Sequence, residues 1–149
     1  MIPKTSESLR HMAERVGADL IPKASDDYAA ADLAFLTMML SMIGQDFDRF
    51  ADVHVREHAE MCALFEAAMP HLPADLQARA RSALSIQIPG LLAHDLNARS
   101  DVTTRLLIDI HADVEARMDA GDAWARDLDA RIWTYLDAYA QRRAYSVAF

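Results

Sequence analysis

From Leu33 onward an apolar or histidine side chain falls at every third or fourth position: Leu33, Leu36, Leu40, Ile43, Phe47, Phe50, His54, His58, Met61, Phe65 and Ala68. That spacing lines up one face of an α-helix. A single helix from Asp26 to Met69 would be roughly 65 Å long at 1.5 Å per residue, too long for a compact bundle of this size. Gly44-Gln45-Asp46 reads as a helix stop followed by a new N-cap, so a break or sharp kink is expected there. Upstream, Thr5 or Ser6 caps a first helix that ends near Leu20 at Pro22, and Ser25 caps the next. Downstream, Pro73 opens a helix to about Ile88, closed by Pro89-Gly90, and a short segment covers Leu91 to Ala98. Ser100 or Asp101 starts a helix with Leu107, Ile110, His111, Val114 and Met118 inward, stopping near Gly121. Asp122 caps the last helix, which carries Trp124, Leu128, Ile132, Tyr135 and Tyr139 on one stripe.

Strands are not expected. The chain has only four Gly and five Pro in 149 residues, is rich in Ala, and shows no alternating β-branched or aromatic stretch. The fold class is therefore all-α: one domain over residues 1–149, a bundle of five or six helices, mainly up-and-down, with the helix from Asp26 to about Gly44 at its centre. The longest apolar run, Leu33 to Gly44, is shorter than the roughly 20 residues a membrane span needs and reads as a buried helix.

Charge narrows the partners. A net charge of -8 with scattered basic residues argues against nucleic acid, whose phosphates call for clustered Lys and Arg. Arg142-Arg143 reads as a helix end suited to the macrodipole. The single cysteine, Cys62, allows no internal disulfide, and the opening Met1-Ile2-Pro3-Lys4-Thr5 lacks the apolar core of a secretory signal, so a cytoplasmic location is expected. There is no Gly-rich phosphate loop, Gly-x-Ser-x-Gly turn, Cys-x-x-Cys or His-Glu-x-x-His, which disfavours nucleotide, serine-hydrolase and zinc-protease chemistry. Asp26-Asp27, Asp127 and Asp129 are read as carboxylates at helix starts or on exposed faces, where they complement the dipole or provide solubility.

The candidate chemistry lies on the histidine helix. His54 and His58 are one turn apart inside the apolar stripe, the spacing by which one helix offers two imidazole nitrogens to a metal or haem. Glu57, about 60° off the stripe centre, could add a carboxylate. His111 and Glu115 form a second one-turn pair, and helical bundles assemble mixed imidazole and carboxylate sites from several helices. The plainer alternative for His54 and His58 is that they are neutral, hydrogen-bonded to a facing Tyr, Asp or backbone carbonyl, and simply packed. Eight methionines are read mainly as core filler, and Cys62 as an inert small side chain. The aromatic last helix exceeds what one stripe needs, which makes Trp133 and Tyr139 candidates for an interface with a second copy or a protein partner.

The string Arg56-Glu57-His58-Ala59-Glu60 resembles the metal-binding helix of ferritin-like bundles. His54-x-x-x-His58 together with His111-x-x-x-Glu115 resembles hemerythrin-like bundles. Three residues before His58 and His111 stand Val55 and Ile108, where the ferritin-like pattern has Glu, and four after His58 stands Cys62, where the hemerythrin-like pattern has a carboxylate. The resemblance implies iron and oxygen chemistry if other residues supply the missing ligands.

Two functional readings follow. The first is a non-catalytic helical binding module for a protein partner, its own copy or a small apolar ligand. The second is a bundle binding iron, manganese or haem through His54 and His58, with Glu57, His111 and Glu115 in support and a redox, oxygen or storage role.

Overall fold

A computed structural model describes residues 4–146, and among them are five α-helices and no strand. They are α1 (Thr5–Arg15), α2 (Asp27–Ala68), α3 (Ala74–Leu84), α4 (Ala93–Asp119) and α5 (Ala123–Arg143). The all-α expectation holds. After α1 the chain continues through a π-helical turn, Val16–Leu20, and a 3-10 turn, Ile21–Lys23, around Pro22. The cap of α2 is Asp26 rather than Ser25: its Oδ1 accepts the Ala29 amide at 2.9 Å, while the Ser25 hydroxyl donates to its Oδ2 at 3.0 Å. Those bonds favour the charged carboxylate and hold the Asp26 pKa below its ordinary value.

The expected break at Gly44 is absent, and α2 runs uninterrupted for 42 residues. The side chain expected to cap a new helix is otherwise engaged, because Asp46 Oδ1 accepts Arg49 Nη2 at 3.1 Å and Asp46 Oδ2 accepts the Tyr145 hydroxyl at 2.7 Å. Gly44 serves close approach instead. A Cβ there would lie 3.5 Å from Leu9 Cβ and 3.7 Å from the Ser6 carbonyl oxygen, so α1 crosses α2 where no side chain stands between them. A glycine inside a helix costs about 1 kcal/mol relative to alanine, and at 3.5 Å the crossing leaves room for a methyl group but not for a larger side chain.

The described residues divide into two compact units. One holds residues 4–50 with Tyr145 and Ser146; the other is Ala51–Ala144. Helix α2 begins in one unit and ends in the other.

In the second unit the C-terminal part of α2 joins α3, α4 and α5 around one apolar core. Met61, Phe65 and Ala68 meet Leu76 and Ala80, Leu106, Ile110 and Val114, and Leu128, Ile132 and Tyr135. Phe65, Ala68, Ala80 and Val114 are wholly inaccessible. Here the three-and-four stripe points inward as anticipated. In the first unit it does not: Leu36, Ile43 and Phe47 are 51%, 48% and 59% exposed, so the run from Leu33 to Gly44 is not a buried central helix. Among the described residues this unit sets α1, the turns after it, Tyr145 and Ser146 beside that half of α2, too few neighbours to cover a full apolar girth.

Two other boundaries move for local reasons. Helix α3 stops at Leu84, where the Ser85 hydroxyl bonds to the Ser82 carbonyl at 2.8 Å and Ile88, preceding Pro89, is sterically turned from the helical region. Helix α4 begins at Ala93 instead of Ser100, because residues 93–101 contain no breaker and Leu96, fully buried, anchors the added turns. The stop at Gly121 is as expected. Its φ is +95°, with its amide bonded to Met118 O at 3.0 Å and the Asp122 amide to Arg117 O at 3.1 Å, which is a Schellman closure. Among the described residues no helix is long and apolar enough to cross a membrane.

Candidate functional site

On the histidine helix, His54 and Glu57 are buried at 5% and 1% exposure, while His58 is half-buried. Glu57 is committed to Arg143 of α5, whose Nε and Nη2 reach its two oxygens at 2.9 and 2.7 Å. One turn on, Arg142 takes both oxygens of Glu60. Two bidentate pairs thus fasten α5 to α2, and the Arg142-Arg143 pair read as a helix end is a clamp. Both oxygens of Glu57 are thereby bonded to the Arg143 guanidinium.

Burial pushes the His54 pKa below its ordinary 6.5, helped by the Arg143 and Arg99 charges against an opposing pull from Glu57. His58 is lowered likewise, by burial and then by Arg99. Both imidazoles are therefore mainly neutral near pH 7. Cys62 Sγ lies 3.6 Å from His58 Nε2, but burial and the Glu66 charge raise the thiol's pKa, so this contact is between two neutral groups rather than an activated thiolate and an imidazolium.

The second histidine pair gains a partner the sequence reading missed. His111 Nε2 lies 2.9 Å from Asp129 Oδ1 on α5 and 3.9 Å from Glu115 Oε1 on its own helix. Among the described residues these three form the one group of His, Cys, Asp or Glu side chains whose ligand atoms all fall within 4.8 Å of one another. His54, Glu57 and His58 do not join it, so the five residues anticipated as one site occupy two places. The clue to Asp129 was its position one turn before Trp133. That places both on one face of α5, and the Trp133 ring meets the His111 ring edge-on at a centroid distance of 5.8 Å.

The remaining candidates are surface groups or packed rings. Trp133 is 57% exposed, and Tyr139, 37% exposed, lies under the Arg143 guanidinium at 4.6 Å. His71 stacks on Trp124 at 4.4 Å, and the exposed His94 and His11 pair with Asp95 and Glu14 at 3.2 Å each.

The first unit contains a cavity of about 830 Å³ between α1, the turn at Ile21 and the N-terminal half of α2. Its apolar wall is Ile21, Ala34, Met38 and Met42, and its polar side includes Ser6, Thr37, Ser41 and Gln45. The Thr37 hydroxyl is bonded to Leu33 O at 2.9 Å, and the Gln45 side chain is tied to Ser146 by three contacts of 2.9 to 3.1 Å. Lys4 and Arg10 are balanced by Glu7 and Asp48 among the lining groups.

Comparison with known proteins found no matching family model, curated protein or solved structure.

Proposed function

We propose that this chain is a non-catalytic helical binding module that takes up a small, uncharged, largely apolar molecule in the cavity between α1 and α2. The observation that carries this reading is the cavity itself, whose volume of about 830 Å³ lies in the range of small-molecule sites, roughly 300 to 1,000 Å³. The lining supports the choice of ligand. Met38 and Met42 offer unbranched, polarizable side chains that adjust to an irregular apolar body. Two cations against two acids leave no net charge to select an ion. Thr37 and Gln45 already spend their polar atoms inside the protein, which leaves the Ser6 and Ser41 hydroxyls to orient a ligand's single polar group. The non-catalytic half of the reading is supported by the Cys62 thiol beside His58, whose raised pKa keeps it from being an activated thiolate.

The test uses the full chain and the neutral solvatochromic dye Nile red. Saturable, blue-shifted emission at one dye per chain is expected, and Met42→Trp or Ala34→Trp, each of which narrows the cavity with an indole ring, should weaken it with the helical circular dichroism retained. Undiminished dye binding in both variants would overturn the assignment.

A further inference from the structure

We infer that His111, Glu115 and Asp129 form a site for one divalent transition-metal ion, joining α4 to α5. The site lies in the unit Ala51–Ala144, apart from the cavity, and stands or falls independently of it.

Coordination geometry fits. Ligand atoms bonded at 2.0–2.2 Å to one ion stand roughly 2.8–3.1 Å apart at a right angle and at most roughly 4.4 Å apart when opposite. The His111 Nε2 to Asp129 Oδ1 separation of 2.9 Å matches the right angle, and the 3.9 Å to Glu115 Oε1 matches a wide one. One right and one wide angle suit five- or six-coordination better than a tetrahedron. The last separation, already within 4.8 Å, closes with a small rotation of Glu115, the most exposed of the three side chains at 58%.

Charge supplies a second, separate argument. Elsewhere on these helices carboxylates that approach another element meet arginine: Glu57 with Arg143, Glu60 with Arg142, Asp109 with Arg79. Among the described residues neither Glu115 nor Asp129 has Lys or Arg within 4.0 Å, although the Asp129 side chain is only 18% exposed. Two carboxylates beside the His111 ring carry the charge that a divalent cation cancels. One nitrogen and two oxygens suit manganese, iron, cobalt or zinc, and no thiolate is near enough to select copper(I). With three protein ligands, the remaining positions belong to water. On binding, Nε2 must present its lone pair, so the imidazole proton resides on Nδ1 and the Nε2–Asp129 hydrogen bond is exchanged for two metal bonds.

Trp133, edge-on to His111, is a built-in reporter. Chelator-stripped full-length protein without a histidine tag is titrated with Co²⁺, following tryptophan emission and the visible absorption of the ion. One equivalent should quench the emission, and Trp124→Phe should retain the quenching. Asp129→Asn and Glu115→Gln, near-isosteric and safe for the fold, should each weaken binding at least about tenfold, a loss already seen when only a ligand's outer partner is removed. His54→Ala and His58→Ala should leave it unchanged. Wild-type affinity in Asp129→Asn, loss of binding in His58→Ala, or no stoichiometric Co²⁺ uptake would each overturn the site.

Discussion

Removing the guanidinium of Arg143 tests what holds α5 against α2. Glu57 has its side chain 2% exposed and both oxygens on Arg143 at 2.9 and 2.7 Å, so Arg143→Ala leaves a buried carboxylate without its cation. Breaking a fully buried pair costs about 3–5 kcal/mol, and an exposed one is worth about 0.2–1 kcal/mol. Arg143 is 37% exposed, and water can solvate part of the gap it leaves, so the expected cost lies between these limits, about 2–3 kcal/mol. For a chain of this size that lowers the melting temperature by roughly 5–10 °C. Glu57→Gln in the same background removes the stranded charge, and the double variant should recover about 1–2 kcal/mol relative to the sum of the single changes. Urea unfolding followed by tryptophan emission reads this region directly, since Trp124 and Trp133 both lie in the unit Ala51–Ala144. A loss under about 0.5 kcal/mol in Arg143→Ala, or strict additivity in the double variant, would show that the pair is a surface contact and refute the clamp.

Lowering the pH should destabilise the fold through His54 and His58. Their folded pKa values lie below the ordinary 6.5, so under pH 6.5 the unfolded chain binds protons that the folded chain refuses, and stability present above 6.5 falls as pH drops; His54→Gln with His58→Gln should flatten the urea midpoint between pH 7 and 5. Gly44→Ala places its Cβ at an ordinary 3.5 Å from Leu9 and should raise thermal stability by about 0.5–1 kcal/mol, whereas Gly44→Leu should lower it by about 1–3 kcal/mol by pushing α1 away. Gly121→Ala forces a side chain onto a φ of +95° and should cost about 1–2 kcal/mol in the melting curve, with no steric contribution because nothing lies within 4 Å.

The helical character of the chain, the start of α3 after Pro73 and the end of α4 before Gly121 were legible from sequence, because each depends on residues within a turn of one another. The inward face of α2 from Met61 to Ala68 was legible for the same reason, since helical periodicity fixes which side chains share a face. Periodicity does not say whether anything stands opposite that face. Phe65 belongs to a core that three other helices share and is inaccessible, while Phe47, on the same stripe, is 59% exposed, and only the arrangement of neighbours separates them. Gly44 shows the same limit: its local signals favour a stop, and the approach of Leu9 and Ser6, more than thirty positions earlier, turns it into a crossing point. Within the candidate metal site the sequence supplied His111 and Glu115, one turn apart, but not Asp129, which comes from the next helix. Contacts along a helix are set by the 3.6-residue repeat and can be read from the chain alone; contacts between helices depend on how their surfaces fit, which only the tertiary structure decides.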